Sequence, residues 1–319
     1  RAIRAAHLVA PPSSVGEGKE SPVEGYETPW LSKGYAFMKM GRYSEALPFL
    51  EQALDANIAN ETGWLNRGNA LSHLKQYDSA VTCYERALNI NPTSEVAHNN
   101  LGWTLYAKGA VDDAVKQYDA AVALKPEYAQ AWYNKGLALL KTNRLEESVA
   151  TLDKAMAIKE NPLPKNQQLL AQHAKGNAFY RMNKLPEAIG VFDEILKQAP
   201  DVNVFNLKGN ALMLQKKYPE ALAQYETALR YDPRNSNAWN NRGNALLTLD
   251  KKEEAIYCFD KAVEYNPRNT EAWNNKGLAL TRLNRLPEAL PCFEKALAIE
   301  PDHAETLVSE EVERTMARL

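Results

Sequence analysis

The sequence has only three cysteines in 319 residues, which is too few for a disulfide framework, and none of them stands beside histidine at a zinc-ligand spacing. Cys83, Cys258 and Cys292 instead recur at one position of a repeating unit, which marks them as small packing residues. No apolar run approaches the roughly 20 residues that a membrane-spanning helix needs, so no membrane insertion is expected. The weakly apolar start, Arg1 to Ala10, is too short for a secretory leader. The first residue is arginine, and the chain reads as a fragment or a processed product of cytoplasmic location. A net charge of −2 gives no general attraction for polyanions, so nucleic acid is not expected as a partner.

Catalytic constellations are equally scarce. The five histidines (His7, His73, His98, His173, His303) are scattered. No serine elbow and no pair of carboxylates forced together is visible, and the recurring glycines fall inside helical patterns rather than in a phosphate-binding loop. The expectation is a protein that is not an enzyme, with no cofactor and no metal.

What the sequence does have is a period. Gly34, Gly68, Gly102, Gly136, Gly176, Gly209, Gly243 and Gly277 are separated by 34, 34, 34, 40, 33, 34 and 34 residues. Twelve residues after each comes a small side chain: Ala46, Ala80, Ala114, Ser148, Ala188, Ala221, Ala255, Ala289. Four further on is a large one: Leu50, Tyr84, Tyr118, Leu152, Phe192, Tyr225, Phe259, Phe293. A proline closes six units, at Pro92, Pro126, Pro200, Pro233, Pro267 and Pro301. Trp30, Trp64, Trp132, Trp239 and Trp273 stand four residues before their glycines and are expected to pack in the core. The apolar positions recur at helical spacing in two stretches per unit, so each unit holds two amphipathic helices. Small residues at the glycine and alanine positions let the two approach closely.

This pattern resembles the tetratricopeptide repeat: an aromatic at position 4, glycine at 8, alanine at 20, an aromatic at 24, alanine at 27 and proline at 32. The match covers residues 27–303, about 85% of the chain, with units beginning near Glu27, Glu61, Glu95, Ala129, Leu169, Val202, Ser236 and Thr270. The resemblance implies an all-α fold, a right-handed α-α superhelix of helix-turn-helix repeats. The turn between helices carries Gly41, Gly109, Asn143, Asn183, Asp250 or Asn284, residues that tolerate a left-handed backbone; Lys75 and Lys216 depart from this and are expected to use a different cap. Position 7 is basic and position 19 acidic in seven repeats each, which suggests pairing between helices.

The domains follow from the irregularities. Residues 1–26 form an N-terminal extension or linker. Repeats 1–4 occupy 27–162 and repeats 5–8 occupy 163–303, divided by an insert around Lys159–Asn166 whose prolines, Pro162 and Pro164, break the helical pattern. Residues 304–319, with Val308, Val312, Met316 and Leu319 at helical spacing, read as a capping helix.

In the tetratricopeptide family positions 5, 6 and 9 of the first helix line the concave groove, and here they are rich in asparagine. Position 6 gives Asn66, Asn100, Asn134, Asn241 and Asn275; position 5 gives Asn99, Asn206, Asn240 and Asn274; position 9 gives Asn69, Asn177, Asn210 and Asn244, with Trp103 at position 9 of repeat 3. Asparagine is a mediocre helix former, so propensity does not explain it there. An amide can donate and accept, and a ladder of amides suits the backbone of an extended peptide. The set resembles the asparagine ladder of the O-GlcNAc transferase repeat domain, which holds extended polypeptide. A competing use of the position 6 amides is bonding between neighbouring repeats. The carboxylate clamp by which some relatives hold chaperone tails is missing its basic residues: the matching positions hold Leu65, Asn99, Val96, Gln130, Asn237 and Glu271. The expected function is a scaffold for protein–protein interaction with a peptide or protein partner. The alternatives are a recruitment arm of a larger glycosyltransferase or protein kinase, and a self-assembling homo-oligomer.

Overall fold

A computed structural model describes residues 28–299. Expectations placed on residues 1–26 and 304–319 lie outside the described residues. The chain divides into two compact units, Arg1–Ala178 and Phe179–Leu319. Among the described residues all regular structure is α-helical.

The first unit contains α1 (Pro29–Lys39), α2 (Tyr43–Ala56), α3 (Glu61–His73), α4 (Tyr77–Ile90), α5 (Glu95–Lys108), α6 (Val111–Leu124), α7 (Ala129–Lys141), α8 (Leu145–Ala157) and most of α9 (Lys165–Arg181). The second contains α10 (Leu185–Gln198), α11 (Val202–Leu214), α12 (Tyr218–Tyr231), α13 (Ser236–Thr248), α14 (Lys252–Tyr265), α15 (Thr270–Arg282) and α16 (Leu286–Ile299). Helices α3, α5, α7, α11, α13 and α15 start on the residues read as repeat starts. Most have an N-cap that stops the chain from continuing the previous helix: Asn60, Ser94, Asp201, Asn235 and Asn269 each accept a backbone N–H of the new first turn.

Within each unit the first helix of a repeat (A) packs on its own second helix (B), and that B helix packs on the next A helix. A helices also touch the next A helix, as α3 touches α5 and α13 touches α15, so the A layer is the inner one of each unit. The repeat glycine makes the A–B contact possible. A Cβ on Gly243 would stand 2.5 Å from Cε1 of Phe259, and one on Gly68 would stand 2.7 Å from Cε1 of Tyr84. The alanines at position 20 and the large residues Tyr84, Tyr118, Phe192, Tyr225, Phe259 and Phe293 are fully buried. All three cysteines are buried and free, as their shared position led one to expect.

Several expectations change. Lys75 and Lys216 do not use a different cap. They adopt φ of 62° and 61°, the same left-handed conformation as Asn143 and Asn284. The backbone supplies the reason: Gln76 N–H donates to Leu71 O at 2.9 Å, and Lys217 N–H to Leu212 O at 2.9 Å, closing the helix around the lysine whatever its side chain.

The basic residues of position 7 pair with position 25 of the preceding B helix, not with position 19. Lys135 meets Asp119 at 2.6 Å, Lys208 meets Asp193 at 2.7 Å and Lys276 meets Asp260 at 2.6 Å. Position 19 acids pair locally where they pair, as Arg144–Glu147 and Arg285–Glu288 join the residue just before the B helix to its third residue.

Of the tryptophans, Trp64 is buried in the core as expected, Trp132, Trp239 and Trp273 are half-buried at its edge, and Trp30 is 43% exposed. The indole N–H explains the placing: it needs an acceptor and finds the carbonyl at position 32 of the preceding repeat. Trp132 donates to Pro126 O at 2.8 Å, and Trp239 and Trp273 to Pro233 O and Pro267 O at 2.9 Å.

The insert of repeat 4 separates α8 from α9, as its prolines led one to expect, and it is also anchored. Leu163 is buried against Tyr133, Leu152, Ala155 and Ala171. Pro164 O accepts the N–H groups of Gln167 and Gln168, so α9 begins at Lys165, inside the stretch expected to break.

Candidate functional site

The asparagines sit where the A layer forms the inner face of each unit, but they are not equivalent. Asn66, Asn99, Asn100, Asn134, Asn206 and Asn240 are buried. Asn69, Asn177, Asn210, Asn241, Asn244, Asn274 and Asn275 are half-buried, as is Trp103.

In the first unit the buried amides are joined in a directed chain. Gln130 Nε2 donates to Asn134 Oδ1 at 3.0 Å, and Asn134 Nδ2 donates to Asn99 Oδ1 at 3.0 Å. Asn99 Nδ2 donates to Asn100 Oδ1 at 3.2 Å, and Asn100 Nδ2 donates to Asn69 Oδ1 at 3.0 Å. Tyr84 ends the chain by donating its hydroxyl to the same Asn69 Oδ1 at 2.7 Å. The chain runs from α7 through α5 to α3 and ties three repeats together. Beside it, Thr104 Oγ1 donates to Asn100 O and lies 2.7 Å from Ser72 Oγ, so Ser72 is the donor of that buried pair.

The second unit repeats the rule in part. Asn275 Nδ2 donates to Asn240 Oδ1 at 3.0 Å, position 6 of one repeat to position 5 of the one before, as in Asn134 and Asn99. Asn206 and Asn241 occupy the same two positions, yet the buried carbonyl of Asn206 has no partner. The buried Nδ2 of Asn66 also has none, because position 5 of its preceding repeat is Leu31. The buried carbonyl of Asn274 is likewise without a partner.

Position 9 behaves differently. Tyr225 Oη donates to Asn210 Oδ1 at 2.7 Å, just as Tyr84 does to Asn69. Burial pushes both tyrosine hydroxyls well above their ordinary pKa, so they stay protonated and donate. The carbonyl of each asparagine is thus turned inward. Its NH₂ group is left with no acceptor among the described residues, and it is not sealed from solvent. Asn177 lacks this partner: its repeat carries Phe192 at position 24, and its buried carbonyl is unpaired. The pairing of a position 9 asparagine with a position 24 tyrosine was legible as a co-occurrence in repeats 2 and 6, but its meaning needs the packing of A on B.

The face also carries aromatic rings. His73 stacks on Tyr43 at 4.1 Å with 3° between planes, and Trp103 tilts toward His73 at 6.4 Å. Asn69, Ser72, His73, Tyr84, Asn100 and Trp103 together line a shallow notch open to solvent, with enclosed room for little more than a water-sized group. Burial lowers the His73 pKa, which keeps the ring neutral near pH 7. Among the described residues no group of histidine, cysteine, aspartate or glutamate could hold a metal ion, and no helix is long and apolar enough to cross a membrane.

Models of the tetratricopeptide repeat match residues 28–57, 62–94, 99–161, 173–225, 236–269 and 270–303, and a TPR repeat model matches 209–250. No curated protein matches the chain in sequence. In structure the chain is similar to the APC/C hetero-tetramer Cut9-Hcn1, with a TM-score of 0.54 and 14% identity over 90% of this chain. It spans 55% of that longer chain. It is also similar to a tetratricopeptide repeat protein from Parabacteroides merdae ATCC 43184, with a TM-score of 0.54 and 19% identity over 79% of this chain and 97% of that one.

Proposed function

The chain belongs to the tetratricopeptide repeat family, and from that premise we propose that it captures an extended peptide along the inner face of its A helices. A scaffold for protein partners is what the family and its repeat architecture support. The finer reading rests on one observation: Tyr84 and Tyr225 fix Asn69 and Asn210 so that each presents an amide donor, and no acceptor among the described residues takes it. A donor held in place loses little conformational freedom on binding, so its hydrogen bond to a peptide carbonyl is retained as affinity. An extended backbone offers carbonyls at regular intervals whatever its side chains, so each site can take one by itself.

The buried amides of positions 5 and 6 have a different role in this reading. Asn99, Asn134, Asn240 and Asn275 hold neighbouring repeats together and keep the donor face in register. The binding residues in this reading are Asn69 and Asn210, with Trp103; Asn244 shares position 9 and a half-buried place, but with Phe259 at position 24 it has no tyrosine to fix it. Asn177 is set apart by its unpaired buried carbonyl.

The test is capture of peptides from a random displayed library by the immobilised chain. Replacing Asn69, Asn210 and Asn244 together with alanine is expected to abolish enrichment while far-UV circular dichroism stays helical. Equal enrichment by a folded triple variant would remove the amides from the binding role.

A further inference from the structure

The notch in the first unit differs from the rest of the amide face, because it combines a directed donor with exposed aromatic surface and carries no charge. Asn69 Oδ1 is taken by two donors, Tyr84 Oη at 2.7 Å and Asn100 Nδ2 at 3.0 Å. Its NH₂ can only donate, and it points the whole hydrogen-bond chain from Gln130 onward toward one outside acceptor. The flanking ring of Trp103 is half-buried, and His73, itself stacked on Tyr43, lies beside it at 6.4 Å. His73 is neutral near pH 7, and none of the six residues around the notch bears a charge there. A carboxylate would lose its hydration at this place and gain no counter-charge.

On these grounds, and resting on the groove reading above, we propose that the notch is a specificity subsite for an uncharged peptide segment carrying a ring, aromatic or proline. The ring lies against Trp103, and the adjoining backbone carbonyl accepts from Asn69 Nδ2. The notch has room for a carbonyl oxygen and not for a side chain, so the ring rests across its mouth and the carbonyl enters. The directed amide chain makes Asn69 a stronger donor than an isolated amide. The corresponding place on the second unit has Asn244 where this one has Trp103, so the ring preference belongs to the first unit alone.

The experiment titrates the full chain with three blocked hexapeptides that differ only at their centre: acetyl-Gly-Gly-Tyr-Pro-Gly-Gly-amide, the Ala-Ala form and the Asp-Asp form. The readouts are the indole N–H resonance of Trp103, identified with Trp103→Phe, and the side-chain amide resonances of Asn69 and Asn210. The ring peptide is expected to bind about fivefold more tightly than the alanine form and to shift both Trp103 and Asn69. Trp103→Ala should erase that preference, and Trp103→Phe should keep most of it. Tightest binding by the Asp-Asp peptide would overturn the uncharged subsite. Equal binding of ring and alanine peptides, with Asn69 and Asn210 both shifting, would overturn the ring preference and leave the groove reading standing. No perturbation of any groove amide by any of the three at millimolar concentration would overturn both.

Discussion

Tyr225 Oη donates to Asn210 Oδ1 at 2.7 Å, joining position 24 of a B helix to position 9 of its own A helix. The bond fixes which end of the amide looks inward. Tyr225→Phe keeps the ring that packs on Gly209 and removes only the hydroxyl, so it is expected to cost about 0.5–1.5 kcal/mol. It also frees Asn210 to turn. Chemical denaturation checks the first effect. Peptide capture should fall in the same variant although no groove residue has been changed, and undiminished capture would separate the tyrosine from binding.

Asn275 and Asn240 are coupled across a repeat boundary at 3.0 Å. Asn240 is 2% exposed, so removing its partner strands a buried carbonyl. A double-mutant cycle with Asn240→Ala and Asn275→Ala is expected to give a coupling of about 0.5–1.5 kcal/mol in stability. A coupling near zero would mean that the amides do not tie the repeats together.

Lys216 holds a left-handed backbone with φ of 61°, where a Cβ is disfavoured. Lys216→Gly relieves that contact and leaves the closing bond from Lys217 N–H to Leu212 O in place. The expected result is a gain of about 0.5–1 kcal/mol, net of the extra freedom glycine has when unfolded. A loss in thermal midpoint would show that the lysine side chain contributes more than its backbone costs.

Acid should weaken the exposed pairs at the starts of the B helices. The hydrogen bond from Arg285 holds the Glu288 carboxyl below its ordinary value of 4.5, and Arg42 and Arg144 do the same for Glu45 and Glu147. A carboxyl lowered in the folded state contributes stability above its unfolded pKa, and that contribution disappears as pH falls through the folded value. Melting midpoints should therefore drop from about pH 6 to about pH 3, and Arg285→Ala should show a shallower drop. An identical slope in the variant would mean that the pair is energetically silent, as many exposed pairs are.

Most of the fold was legible because one motif is written eight times. The glycine spacing fixed the register, and helices starting at Glu61, Glu95, Ala129, Val202, Ser236 and Thr270 agree with it residue for residue. What was not legible involves partners in a neighbouring helix. The lysine caps were hidden because backbone bonds close those turns without asking for glycine. The position 7 cations could be seen to recur, but not that Asp119, Asp193 and Asp260 in the preceding repeat would receive them. The repeat register placed asparagines, thirteen over the whole array, on one face of the A helices. It could not show that Asn134 reaches Asn99, or that Asn275 reaches Asn240, one repeat away.

The most direct measurement of the central claim is side-chain amide NMR of the full chain with and without a captured library peptide. The NH₂ resonances of Asn69 and Asn210 are expected to move downfield and exchange more slowly with solvent, while those of Asn134 and Asn275 stay where they are. Movement confined to other surfaces, with Asn69 and Asn210 unchanged at saturation, would contradict the account.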